Sequence, residues 1–358
     1  MKKERVLKVI DKMKAMGISQ LLACDPMSIY YLTGIFQDPG ERFYALLVRE
    51  EGMPLLFANR LFTIGEQLDM EIVWFSDTDP IMDVVAEKLK QTDRLGVDKN
   101  LQAKFLLPLM EKNAAAGFLN ASLVIDEVRS RKDAEEIEKM AAVSKINDLA
   151  MEKFKKLVVP GITELAMAHQ MLKIYQELGA DTYSFAPLVA FGANGAEGHH
   201  EPDETVLKEG DSVLIDVGCK KDMYCADMTR TFFYGDVSQK HRELYEIVQC
   251  ANETAIAKLH PGMKFSDIDA IARNVITKKG YGANFTHRLG HFIGLEVHEY
   301  GDVSSGNEKP AEPGMIFSIE PGIYLPGDVG IRIEDLVLVT ETGCKRLNHY
   351  NKDLEVIK

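Results

Sequence analysis

Several features are missing from this sequence of 358 residues, and each absence narrows its function. No apolar run approaches the roughly 18 residues that a membrane-crossing helix requires. The basic N-terminal segment has apolar residues at helical spacing, where a secretory signal would have a continuous apolar core. The five cysteines include no CxxC pair, as expected for reduced thiols in the cytoplasm. The net charge of −13 argues against binding to nucleic acid or to an anionic membrane surface.

Histidine is also absent from the first 168 residues, since all nine histidines lie between His169 and His349. Chemistry that depends on metal binding or on proton transfer by imidazole is therefore expected in the second half of the chain. The first half also lacks the glycine-rich loop of a phosphate-binding domain. The composition is otherwise that of an ordinary globular protein, with 46% hydrophobic and 27% charged residues, and the length is enough for about two domains.

The first part of the chain alternates short apolar runs with helical patterns, which predicts a small α/β domain of residues 1–127. An amphipathic helix is expected at 81–89. A charged segment that begins at Arg129 continues into apolar residues at helical spacing, and this long helix is expected to open a second domain of residues 128–358. The candidate strands of the first domain are residues 20–24, 43–48, 54–58, 71–75, 95–98 and 122–125.

The second domain contains a weak internal repeat. Pro160 and Pro261, each followed by glycine, are 101 residues apart, and each Pro-Gly turn precedes a helical pattern and candidate strands. Coincidence is the alternative, because a Pro-Gly turn before a helix is common, but the similarity of the elements after each turn favours duplication. We therefore predict an α/β (α+β) fold in which the second domain has two duplicated α/β halves, related by a pseudo-twofold axis, with a cleft between them.

Two aspartates interrupt apolar strands in the segment 212–233, which is predicted to be a β-hairpin. If the turn is centred on residues 221 and 222, Asp216 and Asp227 face each other across the ladder. The Cβ atoms of residues in such a position are about 5 Å apart, and like charges there destabilise the strand pair. A bound cation would remove this penalty, so the pattern predicts a cation site.

The same pattern recurs near the end of the chain, where Glu320 and Glu334 interrupt the apolar runs 314–320 and 330–339. Any single buried carboxylate is more often paired with a basic residue, but four in one domain indicate metal. His291, which has glycines on both sides, is the candidate nitrogen ligand. Two divalent ions would neutralise the roughly −4 charge of this set, and its oxygen-rich donors suit Mn²⁺ as well as Co²⁺ or Zn²⁺.

In order and spacing, Asp216, Asp227, His291, Glu320 and Glu334 resemble the five metal ligands of the pita-bread metallopeptidases, the family of methionine aminopeptidase, aminopeptidase P and prolidase. The sequence around these residues agrees with the family pattern. The matching motifs are Asp-x-Thr-Arg-Thr at 227–231, Glu-Pro-Gly-Ile-Tyr at 320–324 and Gly-x-Arg-x-Glu-Asp at 330–335.

The first half extends the resemblance to nearly the whole chain. The motif Tyr-Leu-Thr-Gly at 31–34 and the segment 38–48 resemble the creatinase/prolidase N-terminal domain, which methionine aminopeptidases lack. The chain therefore looks most like the Xaa-Pro dipeptidase (prolidase) branch of the family, with aminopeptidase P as the close alternative.

The resemblance implies a role for each ligand. Asp216 would chelate one metal ion, His291 and Glu320 would chelate the other, and Asp227 and Glu334 would bridge the two. A hydroxide shared by the metals would attack the carbonyl before proline, and Glu320 would carry a proton to the leaving nitrogen. The expected substrate is an Xaa-Pro peptide, the expected cofactor is two divalent ions with Mn²⁺ favoured, and the expected assembly is a homodimer.

Substrate contacts are implied in the same way. His199 and His298 match the substrate-side histidines of the family, and His298 would stabilise the tetrahedral intermediate. His200 competes with His199, which is preferred because of its register. Arg332 lies two residues before Glu334 and hence on the same strand face, where it would contact the substrate or fix a ligand.

The sequence departs from the family pattern at two positions. Gly198 replaces the proline that usually precedes the substrate histidine, so this loop is expected to be less fixed. Phe292 replaces the glycine that usually follows the ligand histidine, where its ring would narrow the substrate pocket or displace the loop.

In the first domain, Asp38 and Arg42 are expected to form a local salt bridge. The dimers of the family suggest that the loop carrying this pair would cap the active site of the other subunit.

Two functions of another kind remain open from the sequence. One is a non-catalytic binding protein on the same scaffold, and the other is a metal-independent hydrolase of the creatinase type. The complete set of five ligands argues against both.

Overall fold

The computed structural model describes residues 1–65 and 70–358. The chain divides into two compact units, Met1–Arg129 and Ser130–Lys358. The predicted boundary after residue 127 lies near the end of the first unit. Within the described residues, no helix has both the length and the apolar character to cross a membrane.

A six-stranded mixed sheet forms the centre of the first unit. Its elements in chain order are α1 (Lys3–Ala15), β1 (Gln20–Ala23), α2 (Pro26–Thr33), β2 (Ala45–Arg49), β3 (Leu55–Asn59), β4 (Glu71–Phe75), α3 (Ile81–Lys88), β5 (Arg94–Val97), α4 (Ala103–Glu111), β6 (Gly117–Asn120) and α5 (Ser122–Ser130). The strand order is β4-β3-β2-β1-β5-β6. Every residue of β1 and of β3 is buried, which explains why these interior strands are continuous apolar runs in the sequence.

One predicted strand of this unit is wrong. Residues 122–125 begin helix α5, and the edge strand is β6, five residues earlier. Asn120 starts the helix, because its Oδ1 accepts hydrogen bonds from the Ser122 N–H (3.0 Å) and the Ser122 hydroxyl (2.6 Å). The apolar residues Val124, Ile125 and Val128 have helical spacing once the segment is extended beyond the four residues of the predicted strand.

The predicted salt bridge between Asp38 and Arg42 is also wrong. Arg42 pairs with Asp77, with its Nε and Nη2 lying 2.9 and 3.0 Å from the two carboxylate oxygens. Asp38 instead accepts a hydrogen bond from the Gly40 N–H at 3.0 Å. The Asp38 carboxylate therefore closes its own turn and does not contact the arginine.

The second unit contains two sets of helices followed by strands. The first half consists of α6 (Ala134–Lys155), α7 (Glu164–Glu177), β7 (Thr182–Tyr183), β8 (Leu188–Phe191), a 3₁₀ turn (Gly192–Ala196), β9 (Ser212–Val217), β10 (Cys219–Lys221), β11 (Tyr224–Cys225) and β12 (Met228–Tyr234). The second half consists of α8 (Gln239–Lys258), α9 (Phe265–Lys278), a 3₁₀ turn (Gly282–Asn284), β13 (Gly290–Phe292), β14 (Glu299–Val303), β15 (Ile316–Ile319), β16 (Gly322–Leu325), β17 (Val329–Arg332), β18 (Asp335–Val339) and β19 (Cys344–Arg346), with β20 (Val356–Ile357) at the C-terminus. The strand orders are β20-β12-β9-β8, β11-β10-β7, β14-β13-β15-β18-β19 and β16-β17.

The internal repeat corresponds to these two halves. Helices α7 and α9 are each 14 residues long, and they begin 101 residues apart, after the two Pro-Gly turns. The residue before each helix also forms an isolated bridge with a later strand-like segment, Thr163 with Val206 and Lys264 with Pro310. The predicted α/β class with duplicated halves is confirmed.

The hairpin that carries the first two acidic residues forms with a shifted register. Its two-residue turn is at Asp222 and Met223, both with positive φ (48° and 72°), so the turn lies one residue later than predicted. Asp216 therefore pairs with Thr229, and the predicted pairing with Asp227 is wrong. Because the register differs by two residues, Asp216 and Asp227 still belong to the same face of the ladder.

The second acidic pair lies where strands end. The predicted strand 330–339 is broken at Ile333 and Glu334. This break separates β17 from β18. The preceding Pro/Gly-rich segment contains β16, which forms a hairpin with β17. Strands β15 and β18 pair up to Ile319 opposite Asp335, so Glu320 and Glu334 lie immediately beyond the end of this ladder.

Phe292 packs into the core of the second half. Its ring lies 5.3 Å from that of Phe265 and 5.5 Å from that of Phe317, and it is not among the residues that line the cavity around the four acidic residues and His291. The expectation that this ring narrows the pocket is therefore wrong. Gly301 makes room for the ring, because a Cβ at Gly301 would lie 2.6 Å from it.

We predict that Gly301→Ala destabilises the protein by about 1–3 kcal/mol, because the added methyl overlaps the Phe292 ring. The φ of +116° at this position adds strain. Urea unfolding followed by circular dichroism measures the loss. The double variant Phe292→Leu/Gly301→Ala should lose less than the sum of the two single variants, since leucine vacates part of the space. Additive losses would contradict this packing.

Candidate metal centre and active site

Five side chains, each from a different strand or the gap beside it, meet at one place in the second unit. Asp216 comes from β9, Asp227 from the gap between β11 and β12, and His291 from β13. Glu320 follows β15, and Glu334 lies between β17 and β18. All five line a single cavity of about 840 Å³.

The distances within this group are those of ligands around a common centre. One ligand atom from each of Asp227, His291 and Glu334 lies within 4.8 Å of the other two. His291 Nε2 is 3.5 Å from Asp227 Oδ2 and 3.5 Å from Glu320 Oε1. These separations are too long for direct hydrogen bonds and leave room for an ion between the atoms.

Three carboxylate oxygens in this group are buried and have no hydrogen-bond partner among the described residues. They are Asp216 Oδ1, Asp227 Oδ1 and Glu334 Oε1. An unpartnered buried charge is costly, and divalent cations coordinate carboxylate oxygens directly. The residues present therefore fit a divalent-metal site.

The pKa values of the buried carboxyl groups also favour a bound cation. Burial, reinforced by the negative charges of Asp216 and Glu320, raises the pKa of Asp227 well above its ordinary value. Burial and the neighbouring carboxylates, Asp227 first among them, raise the pKa of Glu334 in the same direction. Without a cation, burial and the repulsion between their charges both favour the protonated form of these carboxyl groups.

A second layer of polar contacts fixes the other oxygen of two ligands. The Arg332 guanidinium donates to Asp216 Oδ2 at 2.6 Å, to the Thr229 hydroxyl at 3.1 Å and to the Tyr324 hydroxyl at 3.0 Å. The Thr229 hydroxyl in turn donates to Glu334 Oε2 at 2.7 Å. Arg332 was predicted either to contact the substrate or to fix a metal ligand. In this structure it contacts the candidate ligand Asp216. Each carboxylate is thus oriented through one oxygen, and the other is left for a metal.

Two buried asparagines hold the ligand-bearing strands to the helices behind them. Asn147 of α6 donates to the carbonyl of Val217 at 3.1 Å, one residue after Asp216. Asn252 of α8 donates to the carbonyls of Ile319 (2.8 Å) and Ile333 (3.3 Å), one residue before Glu320 and one before Glu334. The same type of contact therefore supports the site in both halves of the unit.

The predicted substrate histidines lie in the wall of the same cavity. His199 is exposed, and its neighbour His200 is held against Glu164, with 2.6 Å between Nε2 and Oε2. His298 is exposed, with its ring centroid 4.2 Å from that of His291. Burial, followed by the effect of His291, lowers the pKa of His298 to about 4, so its imidazole is neutral near pH 7.

Two further cavity residues escaped the sequence analysis. His287 is partly buried, with its Nε2 2.8 Å from the Tyr324 hydroxyl, and burial lowers its pKa. Arg288 is exposed, and no described residue forms a hydrogen bond or ion pair with its guanidinium. Their position in the sequence could have identified them. They lie four and three residues before His291, on the segment that leads into β13.

The geometry defines a class of protein, one built around a divalent-metal site, and comparison with known proteins identifies the family. A model of metallopeptidase family M24 matches residues 138–341, and a model of the creatinase/prolidase N-terminal domain matches residues 5–131. The chain belongs to metallopeptidase family M24, and it is a peptidase.

Individual relatives agree in length and fold. An uncharacterized peptidase of Staphylococcus aureus strain USA300 is 35% identical over 356 residues, which cover 97% of this chain and 99% of the relative. The crystal structure of a prolidase from Thermococcus sibiricus is 34% identical, with a TM-score of 0.92 over 100% of this chain and 99% of the other. That of an X-Pro aminopeptidase from Thermotoga maritima is 29% identical, with a TM-score of 0.86 over 97% and 100% of the two chains.

We predict that Asn252→Leu lowers the affinity for divalent metal by about 10- to 100-fold, because the substitution frees the carbonyls next to two ligands. Calorimetric titration of the metal-free protein with Mn²⁺ measures the change. The matched control is Gln249→Leu on the same helix, whose side chain contacts only surface groups. A folded Asn252→Leu protein with wild-type affinity would exclude this supporting role.

We also predict that the metal-free protein becomes less stable as the pH rises above the ordinary carboxyl range. The raised pKa values of Asp227 and Glu334 mean that the folded chain binds more protons than the unfolded chain. Their contribution is present at low pH and is lost as the pH rises through the raised pKa values.

Urea unfolding of chelator-treated protein at several pH values measures this dependence. The control is Asp227→Asn, which removes one of the titrating groups. Its free energy of unfolding should fall less with pH than that of the wild type, whereas equal slopes would contradict the assignment.

Proposed function

We propose that this chain is a dinuclear metallopeptidase that hydrolyses the Xaa-Pro bond of dipeptides. The observation that carries the proposal is the convergence of four carboxylates and one imidazole in a single cavity, with three carboxylate oxygens lacking a partner among the described residues. The similarity to a prolidase over the full length of both chains supports the choice of substrate.

Each ligand has a proposed position. Asp216 would hold one ion, His291 and Glu320 would hold the other, and Asp227 and Glu334 would be shared by the two. When bound, two divalent ions supply Lewis acidity and lower the pKa of water at the site. Mn²⁺ is proposed as the metal because four of the five ligands are carboxylates, with Co²⁺ and Zn²⁺ as alternatives.

The protein side chains handle protons and developing charge. Glu320 is the proposed proton carrier, because it is the more accessible of the two glutamates and the Ser318 hydroxyl fixes its Oε1 at 3.0 Å. His298 is neutral near pH 7 and donates its N–H to the substrate carbonyl oxygen as that atom gains negative charge. His199, which lines the same cavity, is the second proposed substrate contact.

A dipeptidase must also recognise a free C-terminal carboxylate. Two arginines line the cavity, Arg288 and Arg332. Arg332 contributes positive charge, but its Nε, Nη1 and Nη2 all donate to protein oxygens. Arg288 has no such partner among the described residues, so we assign the substrate carboxylate to Arg288.

The remaining attributes follow from the family and the composition. We propose a homodimer, and a cytoplasmic location is consistent with five cysteines that are all free thiols.

The second candidate activity is that of aminopeptidase P. The cavity volume of about 840 Å³ favours it, since this lies in the upper part of the range for small-molecule sites, roughly 300–1,000 Å³, and has room for a longer peptide.

Hydrolysis of Leu-Pro by the chelator-treated protein, with and without added Mn²⁺, tests the proposed function. Mn²⁺ is expected to restore activity, and Glu334→Gln is expected to abolish it because that residue would contact both ions.

Comparison with Leu-Pro-Gly separates the dipeptidase from the aminopeptidase P activity. Faster release of leucine from the tripeptide would favour aminopeptidase P, and no metal-dependent cleavage of either peptide would refute both.

Arg288→Gln is expected to raise KM for Leu-Pro about 10-fold or more, because a charge-assisted pair with the carboxylate is lost. KM for Leu-Pro-amide, which has no terminal charge, should not change. The control is Arg242→Gln, an exposed arginine of α8 outside the cavity. Equal effects on the acid and the amide would show that Arg288 does not bind the carboxylate.

A further inference from the structure

A buried carboxylate outside the metal centre anchors the loop that carries His199. Glu164, the first residue of α7, is fully buried. Its Oε1 accepts hydrogen bonds from the Phe191 N–H at 2.6 Å and from the Asn194 side-chain amide at 3.0 Å. Phe191 is the last residue of strand β8, and Asn194 lies in the 3₁₀ turn that follows it, so both donors mark the start of the loop.

The other oxygen of the same carboxylate holds the end of the loop. Glu164 Oε2 is 2.6 Å from His200 Nε2 and accepts from the Asp203 N–H at 3.2 Å. One side chain therefore closes the segment 191–203 on itself. The exposed His199 lies inside the closed segment, next to a histidine that is held in place.

The loop is fixed on its opposite side by contact between two backbones. A Cβ placed on Gly330 would lie 1.6 Å from the Gly195 carbonyl oxygen, so only glycine allows this approach. Gly330 belongs to β17, the strand that ends at Arg332. The segment is thus held between the Glu164 carboxylate and a strand of the active site.

The internal repeat shows that this helix position supports an active-site segment in both halves. Glu164 and Phe265 are the first residues of α7 and α9. The residues they contact, Phe191 and Phe292, are also 101 residues apart in the sequence. In the second half an aromatic pair supports the strand of the ligand His291, and in the first half a carboxylate performs the equivalent task for the His199 loop.

Glu164, His200 and Asp203 have the composition of a metal site, but their hydrogen bonds argue against one. Both oxygens of Glu164 already accept two contacts each. Asp203 Oδ1 accepts from the Thr205 N–H at 2.7 Å. None of these oxygens is among the unpartnered buried atoms, in contrast to those of the metal centre.

We propose that Glu164 and His200 are positioning residues, which hold the segment 191–203 so that His199 faces the substrate. We call the contacts of Glu164 with Phe191, Asn194, His200 and Asp203 the clamp. The clamp restrains the backbone of the His199 loop, which Gly198 leaves freer than a proline at the same position would. The inference depends on the proposed function only in that His199 contacts the peptide.

The test compares Glu164→Gln, His200→Gln and His199→Ala with the wild type in the Mn²⁺-loaded enzyme. The first two variants should lower kcat for Leu-Pro about 10- to 100-fold, because a misplacement of about 1 Å is sufficient for such a loss. Each double variant with His199→Ala should be no slower than His199→Ala alone, since the clamp acts through that residue. Glu177→Gln, at the exposed end of the same helix, is the control.

Hydrogen–deuterium exchange provides a readout that does not depend on activity. Amides of residues 191–203 should exchange faster in the two clamp variants than in the wild type, with Mn²⁺ affinity unchanged because the five ligands lie elsewhere. His200→Gln preserves the test if Glu164→Gln fails to fold.

Unchanged exchange in the clamp variants, or losses of kcat that add fully to that of His199→Ala, would overturn the inference. If the wild type cleaves Leu-Pro-Gly but not Leu-Pro, the proposed dipeptidase function fails, and the same comparison is made with the tripeptide. Accelerated exchange in the clamp variants would still support the clamp in that case.

Discussion

Repulsion between carboxylates that converge in a buried cavity is the interaction on which the rest of the site depends. Burial and mutual charge raise the pKa values of Asp227 and Glu334, so the metal-free site is electrostatically unfavourable. The fold tolerates this cost because hydrogen bonds from Arg332 and Thr229 orient one oxygen of Asp216 and of Glu334. The unpartnered oxygens then supply the driving force for cation binding.

Duplication explains how side chains from five separate strands or strand gaps reach one point. Each half contributes a pair of helices and a sheet, and each uses a buried asparagine to hold a ligand-bearing strand against the helix behind it, Asn147 in the first half and Asn252 in the second. The first residues of α7 and α9 then support the adjacent active-site segments. The two halves have diverged in chemistry, since Glu164 forms hydrogen bonds where Phe265 forms ring contacts, but the supported positions are the same.

The fold class and the candidate site followed from patterns that are local in sequence, and the errors arose where geometry depends on a few residues. The turn at Asp222 and Met223 lies one residue beyond the predicted centre, which changes the cross-strand partner of Asp216 but not the face it occupies. Residues 122–125 have a strand-like apolar run, but the cap at Asn120 makes them a helix. The break at residues 333 and 334, between β17 and β18, was not predicted, because the segment 330–339 has the apolar pattern of a single strand.

The sequence alone determined the chemical character of the site, because its four acidic residues and His291 predicted a divalent-metal site and their order resembled the ligands of a peptidase family. Only the tertiary structure decided which oxygen atoms lack partners, that Glu164 engages His200, that Phe292 faces the core and that Arg288 faces the cavity. The physical reason is distance along the chain. The contacts that make these choices join residues far apart, such as Arg332 to Asp216 across 116 positions and Thr229 to Glu334 across 105. No local pattern encodes such pairings.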